Sequence, residues 1–306
     1  MAPLQVVTGA FSYTGGYIAR ELLADGHDVR TLARAPAPRG HPLGGKVSVA
    51  PLQFADEEAL AGSLRGAEVL FNTYWIRFPR RGSTFDEAVA NSARLFRAAE
   101  RAGVRRIVHV SVTHATDDLP YPYFRGKAEV ERELARCSVP GAVVRPSLVF
   151  GGREEILINN LAWMLRRMPL FLVPGDGRYR LQPVAVQDVA KLAVRLGASD
   201  ERVTIDAVGP EIFSFEESLR LIRAVVGSHA LLVHAPVGVT LPVTRMLSRF
   251  LRDVLVTTEE LGAMMDEVMV SADPATGEIR FSAWIRDQAA WLGRRYAHEL
   301  SRNWDA

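Results

Sequence analysis

Cysteine, lysine and long apolar runs are what this 306-residue sequence has least of. Its one cysteine, Cys137, excludes an internal disulfide and suits a reducing compartment, so a cytoplasmic setting is expected. Only three of the 37 basic residues are lysines (Lys46, Lys127 and Lys191), so a lysine at a particular position carries more information than an arginine. The net charge of +2 gives no electrostatic case for nucleic acid or an acidic membrane as a partner. No apolar run reaches the roughly 20 residues that span a bilayer. Residues 230–243 come nearest and are broken by Pro236, Gly238 and Pro242. The first residues lack the basic region and apolar core of a secretory leader. The seven histidines show no metal-ligand spacing, so no metal is expected. Walker loops and Gly-x-Ser-x-Gly elbows are also missing.

What the chain does have starts at once. Leu4, Val6 and Val7 form a short apolar strand pattern that gives way to Gly9, Ser12 and Gly15, three apart, with Gly16 behind them. An apolar helical pattern then runs from Tyr17 and Ile18 through Leu22 and Leu23. Strand, tight turn and helix in that order make a dinucleotide loop. Small residues let the backbone approach a pyrophosphate, and the helix N-terminus points N–H groups at it. Gly9, Ser12, Tyr13, Thr14 and Gly15 are therefore candidate cofactor contacts. Ser12 stands where glycine is usual, and its hydroxyl can donate to phosphate. A second strand, Asp28 to Leu32, ends in Ala33-Arg34, with no acid to meet a ribose 2′-hydroxyl. Arg34 suits a 2′-phosphate instead, so NADP(H) is favoured over NAD(H).

Further strands are predicted at 47–52, 68–72, 107–110, 142–145 and 203–207, with helices at about 57–64, 85–102, 156–167, from Asp188, and at 213–226. The last of these opens with the capping box Ser214–Glu217. The strand ending at Asn72 leads into Thr73-Tyr74-Trp75, where aromatics can wall a substrate pocket or pack beneath a loop. Beyond residue 234 the pattern reads as helix, with an apolar stripe of Trp284, Ala289, Leu292 and Tyr296 assigned to the core.

One spacing carries chemistry. Tyr123 and Lys127 lie four apart on a predicted helix, so they share a face. An ammonium beside a phenol stabilises the phenolate and makes tyrosine a usable acid or base near neutral pH. A lysine at this place in an arginine-rich chain is notable, because guanidinium is neither compact nor tunable.

The order VVTGA…GG, a strand ending in Ser111-x-Thr113, Tyr123-x-x-x-Lys127, then Val144-Arg145-Pro146-Ser147 resembles the extended and atypical short-chain dehydrogenase/reductases. It is most similar to the epimerase-like branch that holds the complex I accessory nucleotide-binding subunit and NmrA-type proteins. The resemblance implies a Thr113–Tyr123–Lys127 catalytic set, with Ser111 as the alternative to Thr113 and Asn91 supporting the lysine. Lys127 is expected to hold the nicotinamide ribose as well, and the strand ends, where open parallel sheets bind ligands, make Asn72 and Pro146 candidate cofactor contacts and Tyr74, Trp75 and His114 candidate substrate-pocket residues. The loop between Thr113 and Tyr123 is shorter than in sugar epimerases, which counts against a sugar nucleotide.

The expected fold is α/β, a doubly wound parallel Rossmann sheet with a small, mostly helical C-terminal lobe. Residues 1–151 form the nucleotide-binding core, and 152–306 form a substrate lobe partly returning to the main sheet. The expected function is an NAD(P)-dependent oxidoreductase moving hydride between nicotinamide and a carbonyl or alcohol carbon of a small molecule. The alternatives are an epimerase or dehydratase with tightly bound NAD(P), and a non-catalytic NAD(P)-binding scaffold or redox sensor.

Overall fold

In the computed structural model, which describes residues 3–303, strands and helices alternate at first. They are β1 (Leu4–Thr8), α1 (Tyr13–Ala24), β2 (Asp28–Ala33), β3 (Ser48–Pro51), α2 (Glu57–Leu64), β4 (Ala67–Asn72), α3 (Phe85–Ala102), β5 (Arg106–Val110), α4 (Pro122–Arg136) and β6 (Gly141–Pro146). There follow β7 (Val149–Phe150), α5 (Leu157–Arg167), β8 (Leu170–Pro174), β9 (Arg180–Leu181) and β10 (Val184–Ala185). Next come α6 (Val186–Ala198), β11 (Thr204–Ala207), β12 (Phe213–Ser214), α7 (Phe215–Val225) and β13 (Leu231–Ala235). The last elements are α8 (Val237–Leu251), α9 (Thr258–Met265), α10 (Phe281–Asp287) and α11 (Glu299–Asn303). Two compact units result. One holds the described residues up to Pro146 plus Val186–Ala207, the other Ser147–Ala185 plus the described residues from Val208 on.

The first unit is a seven-stranded, wholly parallel sheet in the order β11-β6-β5-β4-β1-β2-β3. Parallel strands covered on both faces are mostly apolar, and β5 (RIVHV) is buried at every residue, Arg106 and His109 included. Side chains alternate between the faces. Val6, Leu32, Leu70, Ile107 and Val143 join a core with Leu60, Leu95 and Val130 of α2, α3 and α4. On the other face α6 packs against α1, β5 and β6, with the Phe71 ring against Gly197. Arg106, fully buried, fixes the last turn of α6 and the chain after it by donating to the carbonyls of Leu196 (2.5 Å) and Glu201 (2.6 Å). The order reverses between β1 and β4, so a ligand crevice belongs at the carboxyl ends of those strands.

The second unit holds three short strand pairs, β7–β10, β9–β12 and β8–β13, around a core that includes Phe150, Leu219, Ile222, Phe281 and Leu292. Here the expectation of helix beyond residue 234 is corrected: residues 266–280 and 288–298 lie outside helices. Two buried asparagines of α5 satisfy that later backbone instead. Asn159 accepts from Gly293 N (3.0 Å) and donates to Arg295 O (2.9 Å), and Asn160 bonds both backbone groups of Ala297. Trp284 and Leu292 are nonetheless core residues.

Candidate functional site

After β1 the chain turns through Gly9, whose φ of +71° glycine adopts without strain. Ser12 closes the turn, its N–H and hydroxyl donating to the Gly9 carbonyl at 2.8 and 2.6 Å. The hydroxyl expected to reach phosphate is thus spent within the loop. Tyr13 then begins α1 with no side-chain cap and no acid in the first turn. By contrast α2, α3, α7 and α9 each open with a side-chain cap and acidic residues. The first-turn N–H groups of α1, those of Thr14 and Gly15 among them, therefore present positive charge to an anion without competition. That fits a dinucleotide pyrophosphate. Gly15 also has a packing task. A Cβ there would stand 2.3 Å from the Gly9 carbonyl oxygen, so glycine allows α1 to seat on the end of β1.

Beneath the loop, three buried polar side chains tie the strand ends together. Thr8 Oγ1 donates to Asn72 Oδ1 (3.2 Å), which also accepts from Tyr74 N (3.1 Å). Asn72 Nδ2 donates to His109 Nδ1 at 3.1 Å, which leaves the imidazole proton on Nε2. Burial, and then the nearby Lys127 charge, hold the His109 imidazole well below its ordinary range, so it stays neutral. Asn72, expected to face the cofactor, is fully buried and its amide is consumed by this cluster.

Tyr123 and Lys127 stand one turn apart on α4. Tyr123 is half-buried and meets the Trp75 ring edge-on, centroids 6.0 Å apart. Lys127 is only 3% exposed; its Nζ donates to the Val110 carbonyl (2.8 Å) and lies 4.8 Å from the Trp75 ring centroid. Burial pulls its ammonium down to about 7, against a smaller opposing pull from Glu131. That carboxylate is already taken by Arg145 in a two-pronged pair, Nε–Oε1 2.9 Å. Trp75 also stacks on Phe85, so it packs as the wall behind the Tyr–Lys pair.

The hydroxyls after β5 differ. Ser111 is buried beside Val110, and its Oγ has no hydrogen-bond partner in the protein. Thr113 is fully buried, with its N–H on the Pro146 carbonyl (3.1 Å) at the end of β6. Sequence reasoning ranked Thr113 first; the unmatched hydroxyl next to the lysine's anchor is Ser111. Asn91 donates to the Tyr74 hydroxyl (3.1 Å) and accepts from Arg94 (2.9 Å), its observed partners on α3 and the β4 loop. Tyr74 thereby packs against the core, its ring 4.7 Å from that of Phe54. His114 is exposed in a left-handed conformation (φ 55°), and Arg34 is exposed just past β2.

A family profile described as NAD(P)H-binding matches residues 9–154, the stretch that carries this geometry. Sterol demethylase protein B of Methylococcus capsulatus is 36% identical over 233 residues, 73% of this chain and 70% of that protein. The chain belongs to the extended short-chain dehydrogenase/reductase, NmrA-like family of NAD(P)-binding proteins. Within that family it is also similar to a mitochondrial protein of Arabidopsis thaliana, NADH dehydrogenase [ubiquinone] 1 alpha subcomplex subunit 9. Identity there is 27% over 222 residues, 69% of this chain and 55% of the relative, so the chain spans little more than half of that protein. A crystal structure of a putative epimerase from Burkholderia cenocepacia shares the fold, with a TM-score of 0.70, 16% identity and coverage of 96% of this chain and 99% of that one. Sequence reasoning missed the role of His109 and the Val110 carbonyl. Nothing in a five-residue buried strand distinguishes the carbonyl that will anchor a lysine from its neighbours.

Proposed function

We propose that this family member is an NADP(H)-preferring oxidoreductase that moves hydride between nicotinamide and a carbonyl or alcohol carbon. The observation that carries the reading is the buried Lys127, held against Val110 and Trp75, with the unmatched Ser111 hydroxyl one residue from its anchor. A charge placed there costs stability, and a site that keeps one has a use for it.

The cofactor, when bound, supplies or accepts the hydride at the substrate carbon. In the reducing direction Tyr123 gives its proton to the carbonyl oxygen as that carbon gains the hydride, and the alcohol leaves. Ser111 donates a hydrogen bond to the same oxygen and orients it. Lys127 stabilises the phenolate that Tyr123 becomes until a proton returns from solvent. The bare start of α1 receives the pyrophosphate, and Arg34 takes the 2′-phosphate. The sterol demethylase relative makes an apolar ketone or alcohol the first substrate class to assay. Similarity to epimerases supports a second reading, in which the hydride returns to substrate within one turnover and no net oxidation is seen.

Turnover of NADPH with a panel of apolar ketones tests the proposal, following absorbance of the reduced cofactor. Tyr123→Phe is expected to keep cofactor affinity and lose about 100- to 10,000-fold in kcat. A phenylalanine variant with the wild-type rate removes Tyr123 from the chemistry.

A further inference from the structure

Among the described residues nine large apolar side chains are exposed, and seven of them belong to one region of the second unit. Four lie on α8: Val239, Val243, Met246 (69% exposed) and Phe250 (83% exposed). Their spacing of four, three and four puts them on one stripe of the helix. The other three are Leu231 and Val233 of β13, alternate residues on one face, and Leu170 of β8, in register with Leu231. β13 runs into α8 through Pro236, and α8 packs against β8, so strand pair and helix form one surface. Thr240 is the only residue of α8 that is fully buried.

Charge is as uneven as hydrophobicity. From residue 218 to residue 252 there is no aspartate or glutamate, while there are five arginines. Arg245 and Arg249 of α8 and its C-cap Arg252, all exposed, lie on one side of the apolar stripe, roughly 90–150° round the helix from it at ~100° per residue. Arg245 gives one N–H to the Thr258 hydroxyl (2.9 Å). An apolar stripe flanked on one side by cations, with no anion on the helix, is the composition of a segment that lies in the interface of an anionic bilayer. A second copy of this chain seated on the same face would bring arginine rows towards each other, which disfavours self-association. The whole-chain charge of +2 conceals this local excess, and with it a partner that the charge alone argued against.

We infer that α8, with the β8–β13 pair beside it, is a membrane-docking surface for anionic lipid. The stripe enters the headgroup boundary and the arginines meet lipid phosphates. No helix among the described residues is long and apolar enough to cross a membrane, so the attachment is one of lying on the bilayer.

Co-sedimentation of the full chain with vesicles tests this. Vesicles of phosphatidylcholine and phosphatidylglycerol at about 70:30 are expected to carry the protein down, with release in high salt and much weaker capture by phosphatidylcholine alone. Arg245→Gln/Arg249→Gln/Arg252→Gln is expected to weaken binding about a hundredfold, with about a fifth of the affinity remaining per arginine. Met246→Asp/Phe250→Asp is expected to abolish binding without lowering the melting temperature, because both side chains are exposed. Tryptophan placed by Phe250→Trp is expected to shift its fluorescence to the blue only when anionic vesicles are added. Wild type left in the supernatant overturns the inference, as does equal sedimentation of the aspartate variant. A dimer in light scattering that Met246→Asp/Phe250→Asp splits, without vesicle capture of wild type, assigns the face to a second copy instead.

Discussion

Replacing Lys127 by methionine is expected to make the protein more stable while disabling it. The ammonium is 3% exposed, and burial takes it from 10.5 to about 7. Each unit corresponds to about 1.4 kcal/mol, so keeping the charged form in the fold costs about 4 to 5 kcal/mol. Methionine has similar length and no charge, but it leaves the Val110 carbonyl without its donor, a loss of about 1–3 kcal/mol. The net gain is about 2 kcal/mol, or about 3 °C in Tm for a chain of this size.

The pH dependence separates this from ordinary repacking. The folded pKa lies below the unfolded one, so between about 7 and 10.5 the unfolded chain binds more protons and wild-type stability rises with pH. The penalty is complete below pH 7 and fades towards 10.5. The advantage of Lys127→Met should therefore be largest at pH 6–7 and shrink steadily by pH 9.5, as read by thermal melts across that range. A variant that melts lower than wild type at pH 7, or a gap that stays constant with pH, refutes the reasoning. Turnover measured on the same samples should fall as stability rises.

Arg34→Ala is expected to weaken NADPH binding about 10- to 100-fold, the worth of a charge-assisted contact, and to leave NADH binding unchanged; titration of both cofactors checks it. Equal effects on the two remove Arg34 from 2′-phosphate recognition. Gly15→Val is expected to lower Tm by many degrees in the absence of any nucleotide, because its Cβ would meet the Gly9 carbonyl at 2.3 Å. A valine variant with normal melting and impaired NADPH binding would instead give Gly15 a role confined to the ligand.

The sheet and its nucleotide loop were legible because their signals are local. Turn chemistry at Gly9 to Gly15, apolar strands and amphipathic helices each lie within one short stretch of sequence, at most the 18 residues of α3. The Tyr123–Lys127 pair was legible for the same reason, one helical turn and a scarce residue type. What escaped depends on distant partners. β8 reads as ordinary apolar chain until β13 pairs with it some 60 residues later. Asn72 looks like a strand-end ligand residue until Thr8 and His109 close round it. Residues 288–298 keep a helical apolar stripe, yet asparagines of α5 hold that backbone in another shape. Ser111 and Thr113 are two apart in sequence, and only burial and hydrogen bonding tell the unmatched hydroxyl from its neighbour.

The sheet of the first unit leaves the chain at Pro146 and resumes at Val186, and this has a consequence for synthesis. Translation at about 5–20 residues per second makes the roughly 60 residues between β6 and the end of β11 a matter of several seconds. Through that interval β6 is an open edge able to pair with another nascent chain. Arg106, in the strand next to it, is also waiting, because the carbonyls that will satisfy its guanidinium, those of Leu196 and Glu201, have not yet been made. The half-built sheet therefore carries both an unpaired edge and a cation bound for the interior. Completion of this unit is tied to residues that emerge only after an entire segment of the other one, so the ribosome delivers the two units interleaved rather than in turn.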